Sequence, residues 1–397
     1  MTRFMESESA SPMIPVEPAP VLPPPPAVDF TLVDTPEALE QLLVRIAGVQ
    51  RVALDTEADS LHCYREKLCL LQITIEESGG VAHFLVDPLA LPDLSGLRSV
   101  IQDRVLILHG ASYDLKMLQT GGRFEPRFLI DTEWAAKLLG LRTFGLAALV
   151  GSELGFGLSK QHQKADWGRR PLPSGMQAYA VNDTRFLPEL TDRLLQRLET
   201  LGRRSWLDAC CERMLATSLR NAENVEAVEE ERWRISGSGK LQPRQLEILR
   251  RAWLWRDEIA AHLDRPVFRV ASNDILLEVA IQGPAASILQ TDRKFPDRWK
   301  RDLHRALREA METSDQDLPQ RIRGRRTENT EDWDAKCEHL KRCRDAAAAE
   351  LGLDAGILAP RKALERLAAG DDVELHLMGW QTEALSNAGA TFSRMAG

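Results

Sequence analysis

An apolar run ending in alternating acids, Arg51-Val52-Ala53-Leu54-Asp55-Thr56-Glu57-Ala58, restricts the folds open to this chain more than any other stretch. Its composition predicts a strand, and strand alternation puts Asp55 and Glu57 on one face, where both can share a hard divalent cation. Alone, such a pair reads as a solvated turn. Two acidic elements downstream remove that reading. Asp114 lies where the apolar run Leu106-Ile107-Leu108 passes through His109-Gly110-Ala111-Ser112 into a helical pattern, a junction that exposes its carboxylate at the sheet's edge. Tyr179 and Asp183, four apart, stack on one helix face. Pro173 followed by Ser174 and Gln177 has capping-box spacing, which predicts a helix start just before Tyr179 and places both groups near the positive helix end.

In the order Asp-x-Glu, Asp, Tyr-x3-Asp, these residues resemble the three motifs of the tyrosine-containing DEDD family of 3′-to-5′ exonucleases. Leu158 to Leu172, with Lys160, Asp166-Trp167 and Arg170-Pro171-Leu172, resembles the corresponding stretch of the ribonuclease D family, as does Leu68 to Ile73. Leu254 to Ala260 and Ser272 to Ala280 are similar to the helicase-and-RNase-D C-terminal (HRDC) domain. The resemblance covers roughly residues 30 to 390. Gly110 is a departure, standing where many proofreading relatives have Asn.

The resemblance implies an α/β ribonuclease-H-like exonuclease domain, a mixed sheet flanked by helices, followed by all-α HRDC-type modules. It also implies a two-metal mechanism, with Mg²⁺ or Mn²⁺ ions about 4 Å apart. In that mechanism Asp55 bridges the ions, Glu57 and Asp183 complete the nucleophile-side site, Asp114 holds the other ion through water, and Tyr179 orients the attacking water. A phenol of ordinary pKa near 10 is a positioner here rather than the base. The implied partner is RNA with a free 3′ end, tRNA precursors among them, cut to nucleoside 5′-monophosphates. A DNA-directed exonuclease and an inactive nucleic-acid scaffold are the competing readings, and the intact carboxylates argue against the second.

A net charge of −8 excludes reliance on bulk electrostatics to hold nucleic acid, so local basic groups must track the phosphates. Lys160, Lys164, Arg169 and Arg170 are candidates, although Asp166 offers the arginines an internal partner. His62 and Tyr64 are candidates for stacking on a terminal base or for packing. Six cysteines without zinc-type spacing point to reduced thiols in a cytoplasm, and no run of ~18 apolar residues offers a membrane span; a monomer is the expected working unit.

Along the chain, residues 1–29 hold eight of 21 prolines and read as a disordered Pro-rich tail or a recruitment ligand. The exonuclease domain is expected over 30–205, with strands at Val52 to Leu54, Leu68 to Ile75, Phe84 to Val86 and Val105 to Leu108 and a helix at Thr132 to Leu139. A charged connector follows at 206–238, with the acidic run Glu226 to Glu231 and the break Gly237-Ser238-Gly239. An HRDC module is expected over 239–313, a linker with the basic run Arg321 to Arg326 over 314–332, and a second HRDC-like unit over 333–397. In the first module Leu246, Leu249, Trp253, Ala260 and Leu263 form one helical stripe; Trp255, two residues from Trp253, cannot share its face, so core packing is the first reading of both indoles and a partly exposed or domain-contact place for one is the second.

Overall fold

The computed structural model describes residues 22–91, 93–223, 231–285, 296–321 and 331–392. Strand β1 (Thr31–Val33) leads into helix α1 (Pro36–Ala47), whose N-cap Thr35 accepts from the Ala38 N–H. A meander of β2 (Arg51–Ala58), β3 (Leu68–Glu77) and β4 (Gly80–Val86) follows. Next come α2 (Ser95–Gln102), β5 (Val105–Leu108), α3 (Ser112–Gly122) and β6 (Phe128–Asp131). The sheet runs β1-β4-β3-β2-β5-β6, with β3 antiparallel to both neighbours and the remaining pairs parallel. It is the mixed sheet that the sequence implied. The strands β1 and β6, three and four residues long at the two edges of the sheet, are not among those expected from the sequence.

Helix α4 (Thr132–Leu138) is followed by α5 (Leu146–Leu149), which runs into a π turn (Val150–Leu154). The catalytic-motif helix α6 (Ser174–Thr184) packs across β2, β3 and β4, and α7 (Leu187–Thr200) continues over the same sheet. Leu70 and Leu85 of the sheet meet Met176, Ala180 and Val181 of α6, with Trp167 and Leu172 closing the cluster.

The stretch expected as a connector at 206–238 begins instead inside a 20-residue helix, α8 (Arg204–Glu223), packed on β6, α3 and α4. Its charge suggested a solvated linker, yet Leu207, Cys210 and Cys211 are buried against the exonuclease core. Most of the acidic run, Glu226 to Glu230, lies outside the described residues.

The first helical module comprises α9 (Pro243–His262), α10 (Val267–Val270), α11 (Asn273–Gln282) and α12 (Asp297–Glu312). It has its own core, including Leu249, Leu276, Leu303 and Leu307. Both Trp253 and Trp255 are buried in this core, because α9 is sandwiched between α11 and α12 and so has two inward faces. Leu263, expected on the buried stripe, falls just past the helix and is exposed. Of the basic run Arg321 to Arg326, only Arg321 is among the described residues, and it donates to the Gly239 carbonyl at 3.2 Å.

The second module comprises α13 (Glu331–Leu351), α14 (Ala355–Leu358), α15 (Arg361–Ala368) and α16 (Gly379–Asn387). Its apolar residues, Leu340, Leu358 and Leu385 among them, are continuous with the exonuclease core. Trp206 stacks on Trp380 at 4.7 Å, and Arg203 donates to both the Leu138 and Leu351 carbonyls. At Gly140, where φ is +76°, a Cβ would come within 2.3 Å of the Gly352 carbonyl oxygen, so this joint requires glycine.

Of the expected tail, residues 1–21 lie outside the described residues. Residues 22–29 instead lie against the exonuclease domain, with the Pro23 carbonyl accepting from the Gly157 N–H.

Candidate active site

The three motifs converge at the carboxyl end of β2. Asp55 lies opposite Gln72 and Glu57 opposite Leu70 in the β2–β3 register, and a bulge follows Glu57, so both acids face α6 at the strand's end. Asp183 comes down from α6. Oxygen atoms of Asp55, Glu57 and Asp183 lie within 4.8 Å of one another. Among the described residues, no basic side chain forms an ion pair with any of them.

Electrostatics follow from that crowding. Burial, then the charges of Asp114, Asp183 and Glu57, hold the Asp55 carboxyl well above its usual range. Burial and Asp183 push Glu57 up to about 9, and burial with Asp114 pushes Asp183 up to about 7. Three acids whose charges are mutually unfavourable in a low-dielectric setting form an oxygen cage suited to a hard divalent cation. The residues therefore fit the metal that the motifs imply.

Asp114 occupies the first turn of α3, beside the trio. Its carboxylate accepts from the Thr56 N–H at 3.1 Å and from the Thr56 hydroxyl at 2.6 Å. Burial raises it to about 6, and the Thr56 bonds restrain the rise. Thr56 is a residue the sequence reading passed over. Its signal was its place between the two strand acids, which turns it to the opposite face from them.

Tyr179 is half-buried, tilted against Trp167 at 6.1 Å between ring centroids and meeting His162 edge-on at 5.6 Å. Burial, Asp183 and Glu57 hold its hydroxyl above the ordinary phenol range, so it stays protonated at neutral pH. A pocket of about 250 Å³ lined by Ser159, His162, Asn182, Tyr179 and Asp183 opens on the outer side of α6. His162 had no motif to mark it, since only tertiary contact brings it to Tyr179.

The expected helix cap is absent. Ser174 is the first helical residue, Pro173 is the cap, and no side chain bonds the free N–H groups; Gln177 instead donates to the Leu172 carbonyl at 2.7 Å. Tyr179 therefore sits mid-helix and Asp183 in the last turn, away from the positive end. Asp183 is kept near its partners by packing rather than by the helix dipole.

The remaining candidates scatter. Lys160, Lys164 and Arg169 are exposed, and the Lys164 carbonyl meets the His62 ring at 3.3 Å. Arg170 turns inward and forks onto Asp87 at 2.5 and 2.7 Å, with a further bond to the Cys69 carbonyl; its partner is Asp87 rather than the sequence neighbour Asp166. Tyr64 reaches the first helical module, its hydroxyl donating to Asp257 at 2.5 Å and its N–H to Asp264 at 3.1 Å. Gly110, the departure in the second motif, has φ +71°, and a Cβ there would meet Glu133 Oε2 at 2.5 Å. Glycine is what the turn between β5 and α3 permits.

Between the Ser60–Glu66 loop, α3 and α8 lies a larger cavity of about 990 Å³. Arg65, Lys116, Arg213 and Arg232 contribute to its lining, as does Glu66, which pairs with Lys116.

Comparison with known proteins identifies the family. Residues 30–199 match the family model for a 3′-5′ exonuclease, and residues 245–287 match the HRDC domain. Ribonuclease D of Xanthomonas oryzae pv. oryzae is 33% identical over 82% of this chain and 88% of its own length. Ribonuclease D of Desulfotalea psychrophila is 28% identical, covering 90% and 96%. The crystal structure of Escherichia coli RNase D, described as an exoribonuclease involved in structured RNA processing, superposes with a TM-score of 0.71 at 26% identity, covering 91% of this chain and 98% of that one. A 33% identity to a ribonuclease D over most of both chains, with a 3′-5′ exonuclease model matched over residues 30–199, makes this chain a member of the ribonuclease D family of 3′-to-5′ exoribonucleases.

Proposed function

We propose that the chain trims the 3′ ends of structured RNA, tRNA precursors among them, one nucleoside 5′-monophosphate at a time. The observation that carries this reading is the trio Asp55, Glu57 and Asp183, whose oxygens crowd within 4.8 Å without a basic partner among the described residues. Asp55, Glu57 and Asp183 would hold one Mg²⁺ or Mn²⁺ ion, with Asp55 and Asp114 reaching a second. Bound there, the cations would neutralise charge on the scissile phosphate and acidify the attacking water. Tyr179, protonated and fixed between Trp167 and His162, orients that water and takes no proton. The Thr56 bonds favour the ionised form of Asp114 and fix one of its oxygens beside the trio.

The strand upstream of the 3′ end is assigned to the 990 Å³ cavity, where Arg65, Arg213 and Arg232 offer phosphate contacts that the net charge of −8 denies elsewhere. Lys160, Lys164 and Arg169 remain exposed candidates, and His62, whose ring meets the Lys164 carbonyl, remains a candidate for stacking on a terminal base. Arg170 and Tyr64, already committed to Asp87 and Asp257, serve by holding the frame. Six unpaired cysteines suit a reducing cytoplasm, and no described helix is long and apolar enough to cross a membrane. The working unit is taken as a monomer.

The test is digestion of 5′-labelled single-stranded RNA and its DNA counterpart with Mg²⁺ or Mn²⁺, beside Asp183→Ala. A metal-dependent ladder on RNA that the substitution abolishes is expected. An equal ladder on DNA would reject the sugar preference, and binding without any ladder would reject catalysis in favour of a scaffold.

A further inference from the structure

Helix α6 carries Tyr179 and Asp183, packs on the sheet through Met176, Ala180 and Val181, and has no side-chain cap on its first turn. A second segment holds its other end. Prolines fix φ and favour polyproline II, a helix of three residues per turn, so Pro23 and Pro26 return to the same side. Both carbonyls are used. The Pro23 oxygen accepts from the Gly157 N–H at 2.9 Å, and the Pro26 oxygen accepts from Arg185 Nη1 at 2.7 Å.

Arg185 is the C-cap of α6. Its backbone N–H donates to the Val181 carbonyl at 3.1 Å and its guanidinium to Asn182 Oδ1 at 3.2 Å, so the bond to Pro26 ties the helix's end to the segment. Two residues farther on, Val28 and Phe30 pack on the cluster of Trp167, Leu172, Met176, Ala180 and Val181 that underlies Tyr179. The chain then enters β1 at the sheet's edge. The receiving surface is shaped for this approach: a Cβ at Gly157 would stand 3.0 Å from the Leu22 carbonyl oxygen, and one at Gly151 2.9 Å from Leu22 Cδ1. Consecutive prolines lose little freedom on ordering and have no N–H to satisfy, so they suit a strap that offers only acceptors.

We propose that residues 22–30 form a strap that positions α6, and through it Tyr179 and Asp183, against the strand acids Asp55 and Glu57. The inference rests on the reading of those four as active-site residues. Its positioning residues are Pro23, Pro26 and Arg185, and the recruitment role expected of the proline run is replaced by an internal one.

The test compares chains lacking residues 2–21 and 2–29 with Arg185→Met and Arg185→Lys in the full chain. It reads steady-state RNA hydrolysis and amide hydrogen exchange over residues 174–184. The shorter deletion is expected to match the wild type. The longer one is expected to lower kcat tenfold or more with KM within twofold, and to speed exchange in α6 while β2 stays protected. Arg185→Met should show a smaller fall in kcat with the same local exchange, and Arg185→Lys should restore much of both. Wild-type kcat and exchange in the longer deletion would overturn the proposal. If that chain fails to fold, unchanged kcat and exchange in Arg185→Met overturn it. Exchange is read without substrate, so an inactive wild type would sink the functional reading while leaving the strap measurable.

Discussion

At the carboxyl end of β2, Asp55, Glu57 and Asp183 face one another without a basic partner among the described residues, whereas Asp59, Asp87 and Asp131 in the same domain are surrounded by donors. Asp131 accepts from four backbone N–H groups, those of Gly110, Ala111, Glu133 and Trp134. Asp87 takes the Arg170 fork and the Leu89 N–H. Asp59 is buried, which works against its charge, but bonds from Cys63 and Lys67 hold its carboxyl below the usual range. The difference separates acids that organise the frame from acids that wait for a ligand. A buried carboxylate with donors stabilises a fold, and one without them is retained for what it binds.

The largest expected effect breaks the first set. Asp183→Asn should lower RNA hydrolysis by about a thousandfold or more, the scale of losing a member of a catalytic unit. Thermal unfolding of the same metal-free protein should move up or stay level, because one crowded charge is gone; a clear fall in melting temperature would contradict the contrast.

Arg170→Met should do the reverse. Leaving Asp87 half-answered is expected to cost about 2–3 kcal/mol in urea unfolding, while the folded fraction keeps its activity. Stability within about 0.5 kcal/mol of the wild type would place Arg170 outside the frame.

Acidity gives a third probe. Asp183 at about 7 and Glu57 at about 9 are raised above their unfolded values near 4. Their contribution to stability is therefore full below pH ~4 and is lost as pH rises through 7 and then 9. Metal-free protein should show a urea midpoint falling between pH 5 and 9, and Mg²⁺ at the alkaline end should restore it. A midpoint indifferent to Mg²⁺ at pH 8 would remove the trio as a cation site.

The smallest effect falls on the acid between the two sets. Thr56→Val deletes the hydroxyl bond to Asp114 and leaves the backbone one. Weakening of Mn²⁺ binding by roughly tenfold, read by calorimetry, is the expected outcome for an outer-sphere partner. Unchanged affinity would reduce Thr56 to packing.

The acids of the site were legible because each sits on a periodic element: a strand spaced by two, a helix spaced by four, and a strand-to-helix turn. The six-stranded sheet was legible in its four inner strands, β2 to β5, and not at its two edges. Hidden features share a cause, which is that only distant contacts define them. Charge along α8 concealed its buried Leu207 and Cys210, and only the two-sided burial of α9 shows how Trp253 and Trp255, on different faces, enter one core. A plausible cap at Ser174 gave way to Pro173, and the Pro-rich segment, unable to form a core of its own, found one to lie on.

The joint at Gly140, Arg203 and Trp206 has a consequence for how the chain is made. Surfaces of the exonuclease domain there are completed by Gly352, Leu351 and Trp380, which are translated long after the sheet. At about 5–20 residues per second, a nascent chain holds that flank open for roughly ten seconds or more before its cover emerges. Helices made late thus close the first domain, and a message cut short after the HRDC module would yield a protein with an exposed apolar flank rather than a smaller enzyme.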